Sequence, residues 1–431
     1  MERLLIGKRN NDMELLVPAH SKSERLVMRL FIISLGLGEI ISIGPIKLSH
    51  ITTILALMVS LIKNNGVIRL TVENRNYSRM LKFCYVWIGY ALFQFIWVQN
   101  TELYKTFILI LAVNIIIIYI MITYIRTRED WLDILESFLL LILISVLVGF
   151  WEMKTSIHLV KLTEDDANIQ YYLNKPLAFY GNGNDYATVL MFGVFGILLH
   201  LFAKRRKKTE ILFDLGLLLA VLYQIVVINS RAALYSVFLL FLMLVVLYRA
   251  TKASRNSTTN RRAINIFLVF LAVASVGLIF LISSPKEIIV RYSGDGNVGS
   301  DLGRVQMIVN GVNALISSFG FGVGAGQSIL ANNINLHFFY LEILVEYGIF
   351  VGGYLLVIIF MMSFHVDYGL RSFSEIMMNS LYRSFPIVMI LLGVASSGTV
   401  RIRATWIIFV LLYTYAYKDQ WNGVIDLDVN A

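Results

Sequence analysis

The longest water-soluble segment between two strongly apolar runs is residues 293–348, SGDGNVGSDLGRVQMIVNGVNALISSFGFGVGAGQSILANNINLHFFYLEILVEYG. It carries an amphipathic stretch, a glycine-rich stretch, an arginine, a histidine and two glutamates four residues apart. Most of the remaining chain is apolar over lengths that cross a lipid bilayer. We therefore expect the rest of the chain to form a helical scaffold that holds this segment at one face of a membrane.

The composition excludes an ordinary soluble domain. Of the 431 residues, 58% are hydrophobic and only 15% are charged, whereas a soluble domain needs about a quarter charged residues to cover its surface. The predicted fold class is therefore all-α, a polytopic integral membrane protein. The single cysteine, Cys84, lies in an apolar run and predicts a small buried residue, so neither a disulfide nor a cysteine metal site is expected.

About twelve apolar runs are long enough to span a bilayer. They lie near 26–43, 46–62, 81–98, 103–125, 131–151, 184–203, 211–228, 232–249, 264–283, 338–362, 381–397 and 399–417. We treat residues 1–431 as one transmembrane domain with a large outward loop, 284–337, between the ninth and tenth spans. A smaller outward loop covers 152–183.

The basic residues orient this scaffold. The connections on one side of the predicted membrane hold roughly 24 of the 37 lysines and arginines, whereas those on the other side hold roughly 11. The tails 1–25 and 418–431 are therefore predicted to be cytoplasmic. The run after the first tail lacks a small-residue cleavage site, so it is not a cleavable signal peptide. Topology explains the net charge of +9, and no nucleic-acid partner is expected.

The large outward loop contains two local patterns. Residues 303–319 have apolar side chains at helical spacing on one face, which predicts a helix that lies in the outer interface or caps the bundle. Asp301 and Arg304, at its start, either pair or form a solvated helix start. The four glycines at alternate positions in 320–326 predict a tight packing turn, because no strand–helix unit surrounds them to form a nucleotide site.

The same loop leads into an ionisable group at the start of the tenth span. His337 is a candidate for proton transfer or for a capping role at the interface. Glu342 and Glu346 follow on one helix face, where acids are costly unless they face protein or water. Two hypotheses remain open for these glutamates, catalysis and an ion pair with an outer arginine.

Five arginines lie on the outward side, against the orientation bias. They are Arg231, Arg291, Arg304, Arg401 and Arg403. Each alone fits a snorkelling anchor, but five on one face indicate an anion site, because guanidinium binds phosphate in a bidentate manner. The natural anion at that surface is a phosphate-bearing lipid.

The smaller outward loop ends with a polar stretch. Asn182, Asn184 and Asp185 open the next span and fit helix capping, and their side chains are also suited to binding sugar hydroxyls.

In layout and in several local matches the chain resembles the bacterial O-antigen polymerase and O-antigen ligase superfamily. The matches are Ser230-Arg231-Ala232-Ala233 at the eighth span, the Asn-x-Asn-Asp-x-Ala stretch 182–187, Gly303-Arg304, Phe321-Gly-Val-Gly324, and His337 with Leu341, Glu346 and Gly348. The order of these matches relative to the spans carries the resemblance. Phe338 follows His337 where the family commonly has asparagine.

The resemblance implies a bacterial cytoplasmic-membrane glycosyltransferase whose active face is outward. Its donor would be an oligosaccharide linked to polyprenyl pyrophosphate, without a metal or other cofactor. Arg231 and Arg304 would hold the pyrophosphate, with Arg291, Arg401 and Arg403 as further candidates. His337 would act as general base or pyrophosphate ligand, with Glu342 or Glu346 as alternative bases.

Three functions stay open from the sequence. A polymerase would join lipid-linked repeat units for O-antigen, capsule or exopolysaccharide, with a chain-length regulator and a flippase as pathway partners. A ligase would move the glycan to a lipid or protein acceptor. A transporter or flippase of lipid-linked oligosaccharide is the alternative from another class, although no internal repeat is evident.

Overall fold

The apolar runs form helices in a computed structural model that describes residues 20–37, 42–43, 46–63, 74–160, 174–203, 207–253, 298–331, 336–365, 372–394 and 398–418. In these ranges the helices are α1 Lys22–Leu37, α2 Leu48–Lys63, α3 Arg75–Phe93, α4 Thr101–Tyr124, α5 Arg128–Thr155, α6 Gly183–Ala203, α7 Lys208–Ile228, α8 Arg231–Ala253, α9 Val298–Ser317, α10 Phe339–Tyr347, α11 Gly353–Phe364, α12 Phe373–Leu392 and α13 Arg403–Ala416. Short antiparallel strands, β1 Ser42–Ile43 and β2 Ile46–Lys47, join α1 to α2.

The all-α membrane fold predicted from composition is confirmed. Within the described ranges, seven helical segments are long and apolar enough to cross a bilayer: α4, α5, α6, α7, most of α8, Phe339–Phe364 and α12. The predicted spans near 26–43, 46–62, 81–98 and 399–417 coincide with α1, α2, α3 and α13, which are shorter or more polar. The predicted span 264–283 lies outside the described residues. Cys84 is buried, as expected.

Helix α12 packs on α8 along most of its length, and the two helices run antiparallel. The rings of Tyr248, near the end of α8, and Phe373, at the start of α12, lie 5.6 Å apart. Arg231 begins α8, so it lies at the end of the bundle where α12 finishes at Leu392. This contact places the start of α8 and the end of α12 together. We call this end of the bundle the outward end, after the orientation predicted from the basic residues.

The last helix is much shorter than its neighbours, so the segment before it starts below their ends; we call this position the recess. Helix α13 has 14 residues and α4 has 24, so at 1.5 Å per residue they differ by about 15 Å in length. The C-terminal ends of α4 and α13 lie close together, because the Nε1 of Trp131, in the first turn of α5 and shortly after the end of α4, donates to the carbonyl of Leu411 at 2.9 Å. The Nδ2 of Asn114, midway along α4, donates to the carbonyl of Val400 at 2.9 Å. The chain before α13 therefore lies deep in the bundle.

The predicted tenth span is not one straight helix. Gly348 ends α10 with φ = 72°, and a π-helical turn, Gly348–Gly352, leads into α11. The rings of Tyr340 and Phe360 lie 5.2 Å apart, although 20 residues of straight helix would separate them by about 30 Å. The break occurs because Gly348 adopts a left-handed conformation that favours glycine. Helix α10 therefore folds back over α11 at the outward end.

The glycine-rich stretch is a packing turn, as its sequence suggests. Val323 and Gly324 donate their backbone N–H groups to the carbonyls of Val345 and Glu346, at 2.8 and 3.1 Å. A Cβ at Gly322 would come within 2.4 Å of the backbone nitrogen of Gly348, and Gly322 has φ = 81°. Only glycine therefore allows this loop to lie directly against α10.

We expect Gly322→Ala to destabilise the protein by about 1–3 kcal/mol, because the substitution adds both backbone strain and a main-chain clash. The measurement is the midpoint of thermal unfolding in detergent. Gly216→Ala is the matched control, because a Cβ there has no neighbour within 4 Å and the residue lies inside α7. If the two variants unfolded at the same temperature, the role given to Gly322 would be wrong.

Candidate functional site

The two glutamates of α10 are both buried, with about 1% of each residue exposed. Glu346 is held by its neighbours. Its Oε1 accepts a hydrogen bond from Ser328 Oγ at 2.7 Å, and the backbone N–H of Gly326 also donates to its carboxylate. Its carbonyl accepts from Gln94 Nε2 at 2.7 Å. Glu346 therefore anchors the glycine-rich loop and α3 to α10.

Glu342 differs from Glu346 in its hydrogen bonding. Its Oε2 accepts no hydrogen bond from any residue that the structure describes. A buried carboxylate oxygen without a donor is uncommon, because its desolvation is then uncompensated. Glu342, rather than Glu346, is the carboxylate with capacity left for a substrate group.

Arg401 lies beside this acidic pair. Its guanidinium acts electrostatically on both Glu342 and Glu346. It also lies over the ring of Phe107, on α4, at 5.3 Å from the ring centroid, a geometry in which a cation is attracted to the aromatic face. Of the outer arginines, Arg401 is thus the one whose charge acts on the acidic pair, and the ion pair considered from the sequence stays a prediction. The Arg401 side chain is half-buried at the recess before α13.

Arg403 opens α13 and lies on another wall of the recess. Its Nη1 donates to Ser49 Oγ, in the first turn of α2, at 2.7 Å. Arg401 and Arg403 thus begin from the same short segment but contact different helices. Neither lies on a protruding outer loop, because the shortness of α13 draws both below the outward ends of α4 and α5.

Arg231 and His337 lie at the outward end of α12. The backbone N–H of Phe339, two residues after His337, donates to the carbonyl of Gly393 at 3.2 Å. Gly393 directly follows α12, and the antiparallel packing of α8 brings Arg231 to the same end. Both Arg231 and His337 are half-buried. Two of the three residues singled out by the family resemblance therefore flank one helix end.

Helix α9 packs against the segment that carries His337. Met307 and Leu315 of α9 pack on a small buried cluster formed by Leu336, Leu341 and Val345. The structure describes Arg304 as part of this helix but not its side chain, and Arg291 lies outside the described residues. The predicted amphipathic helix is thus observed, as Val298–Ser317. Its most exposed apolar side chains are Val305, Val309, Val312, Ile316 and Phe319, the last just beyond the helix.

The described end of the smaller outward loop is held by a residue that sequence analysis missed. Glu152, fully buried at the end of α5, accepts backbone hydrogen bonds from Leu177 and Ala178, both at 2.7 Å. An acid at the outward end of an apolar span was the available signal. The same loop ends at Asn182.

Asn182 caps α6 in this loop. Its Oδ1 accepts from the backbone N–H groups of Asn184 at 2.7 Å and Asp185 at 3.4 Å, which is the capping role that the sequence favours. The side chains of all three residues are half-buried.

A metal centre has no support in the described part of the chain, where no group of three or more His, Cys, Asp or Glu side chains could hold an ion. This end of the bundle therefore has arginine side chains that can bind an anion and a buried carboxylate, Glu342, that can accept a proton.

One comparison relates the chain to a characterised pathway. The chain is similar to a teichuronic acid biosynthesis protein. That relative, TuaE of Bacillus subtilis (strain 168), is 24% identical to the chain over 293 residues, which cover 64% of the chain and 59% of the relative. The chain therefore matches about 59% of the relative's length. No family model matches the chain.

The two glutamates should respond differently to substitution by glutamine. Glu346→Gln should lower stability by about 1–3 kcal/mol, because a neutral amide accepts from Ser328 and Gly326 more weakly than a carboxylate and replaces one acceptor oxygen with an NH2 donor. Glu342→Gln should unfold at the wild-type temperature or higher, because it removes one of two neighbouring buried carboxylates. Thermal unfolding in detergent measures both variants. Equal destabilisation of the two would contradict the division of roles.

Proposed function

We propose that this protein is a membrane glycosyltransferase of cell-envelope polysaccharide synthesis. In this proposal it is a polymerase at the outer face of the bacterial cytoplasmic membrane. It transfers a glycan from polyprenyl pyrophosphate to a hydroxyl of another lipid-linked repeat unit. The similarity to TuaE supports the pathway, because teichuronic acid is an envelope polysaccharide.

One structural observation carries the proposal. Side chains far apart in the sequence lie around one end of the bundle, with Arg231 and His337 at the end of α12 and Arg401 beside Glu342 and Glu346 on α10. This combination of cations and an acid whose Oε2 accepts no hydrogen bond from the described residues suits a reaction in which a diphosphate leaves and a hydroxyl loses its proton.

The roles follow from the charge that develops during transfer. The bond between the sugar anomeric carbon and the diphosphate oxygen breaks, and the diphosphate keeps the electron pair. Arg231 and Arg304 stabilise the leaving diphosphate, because fixed guanidinium groups need no reorganisation as its charge grows. Meanwhile the acceptor oxygen forms the new bond to the anomeric carbon and gives its proton to His337. Glu342 is the alternative acceptor of this proton.

A carrier is the second candidate, and the break between α10 and α11 favours it. Discontinuous helices with ionisable residues at the break are common at the binding sites of transporters. In this chain the break turns α10 back at the outward end, and the acidic pair interacts with Arg401 there. An assay without a closed membrane separates the two functions, because a carrier needs two compartments.

The decisive experiment uses purified protein in detergent micelles. The substrate is the pool of lipid-linked repeat units extracted from cells of the source organism in which this gene is deleted. Wild-type protein should lengthen the glycan and release polyprenyl pyrophosphate without any gradient. A failure to lengthen it, combined with transfer of the lipid-linked oligosaccharide across vesicle membranes, would establish the carrier instead. Transfer to a different acceptor would identify a ligase.

Arg231→Ala should slow elongation by about a hundredfold or more, because it removes one cation from the developing diphosphate charge. Arg249→Ala is the control on the same helix, at its opposite end and exposed, and it should elongate at the wild-type rate. The measurement is glycan length over time at equal amounts of folded protein. Wild-type elongation by Arg231→Ala would exclude this arginine from the reaction.

A further inference from the structure

A second group of basic side chains lies apart from Arg231 and His337. It consists of Lys47 at the end of β2, His50 in the first turn of α2, and Arg403 at the start of α13. Arg403 and Lys47 both act electrostatically on His50, and Arg403 is fixed to the start of α2 through Ser49. All three basic residues are half-buried. We call Lys47 and Arg403 the hairpin cations; the imidazole of His50, on which both act, is not counted among them.

The hairpin cations and the Arg231 group lie on different parts of the bundle. Helix α2 packs on α1 and α4, whereas α12, whose end carries the Arg231 group, packs on α8, α11 and α6. Helix α13 contacts both α4 and α12, and the segment before it carries Arg401 between the two groups. The outward end therefore has two separate concentrations of positive charge.

An apolar surface continues directly from the hairpin cations. Beginning one residue after His50, α2 exposes Ile51, Ile54, Leu55 and Met58 at helical spacing, each more than two-fifths exposed. Such a stripe on a membrane helix faces acyl chains. A ligand that fits both features has an anionic head and a long apolar tail.

We infer that the hairpin cations bind the diphosphate of the second lipid-linked substrate, the acceptor. This inference rests on the proposed polymerase function and deepens it. A polymerase uses two lipid diphosphates, but only the donor diphosphate leaves. The acceptor hydroxyl is at the far end of a repeat unit from its own lipid, so its intact diphosphate must be held away from the reaction centre. The hairpin cations, set apart from His337 and Glu342, meet that requirement.

We expect the acceptor glycan to lie over the segment before α13. This segment and the start of α13 contact the first turn of α2 and the middle of α4, and Arg401 on it acts on the glutamates of α10. A repeat unit that starts at the hairpin cations would thus pass Arg401 before its terminal hydroxyl reaches Glu342 or His337.

Direct binding tests this inference without turnover. Native mass spectrometry of the purified chain in detergent counts bound molecules of undecaprenyl pyrophosphate. Wild-type protein should bind two, and Arg231→Gln should retain one. Lys47→Glu should also retain one, with at least about a tenfold loss of affinity at the missing site, because charge-assisted hydrogen bonds to phosphate are strong. Arg231→Gln combined with Lys47→Glu should bind none.

Three controls separate charge from folding and from ordinary lipids. Arg403→Lys keeps the charge and should keep two bound molecules. Ser49→Ala removes only the contact that orients Arg403 and should weaken the second molecule less than Lys47→Glu does. Phosphatidylglycerol at equal concentration should not displace the second molecule. If it does, the hairpin cations are a general headgroup anchor and the inference is wrong.

Failure of the second site and failure of the polymerase proposal give different results. If wild-type protein binds two molecules of undecaprenyl pyrophosphate and Lys47→Glu binds one, the second site is supported even when no glycan elongation is observed. If wild-type protein elongates glycan while Lys47→Glu still binds two molecules and keeps the wild-type KM for acceptor, the second site is refuted and the polymerase stands. A wild-type stoichiometry of one would refute the site directly.

Discussion

The outward end of this protein depends on the hydrogen bonds gathered by Glu346. Its carboxylate accepts from Ser328 and Gly326, and its carbonyl accepts from Gln94 and Gly324. These contacts hold the glycine-rich loop, α3 and α10 together. They also offset the desolvation free energy of burying the Glu346 carboxylate. Because α10 is held in this way, Glu342 and His337 have defined positions relative to the bundle.

Unequal helix lengths set the depth at which these groups lie. A 14-residue α13 cannot reach as far outward as the 24-residue α4, so the chain that enters α13 stays deep. Arg401 and Arg403 are consequently placed below the outer surface rather than on it. Helix α10, before the break at Gly348, contacts the segment that carries Arg401. The recess thus follows from the number of residues in two elements.

The residues at this end divide into those that hold the structure and those with capacity for a ligand. Glu152, Asn182 and Glu346 use their oxygens on backbone donors or nearby side chains. Glu342 retains an oxygen without a donor among the described residues. Such a division is typical of sites in which saturated hydrogen bonds fix the geometry and a few groups remain for chemistry.

The sequence alone determined the all-α membrane class, the position of most helices and the packing role of the glycines, because hydrophobic run length and glycine spacing are local properties. It also marked the outward arginines and both glutamates, since charges are expensive beside long apolar runs. Only the tertiary structure decided that Arg401 is the arginine beside the glutamates and that α10 turns back at Gly348. It also decided that the carboxylate of Glu346 accepts hydrogen bonds from its neighbours, whereas the Oε2 of Glu342 accepts none from the described residues. These features arise from contacts between residues tens to hundreds of positions apart, which no local pattern encodes.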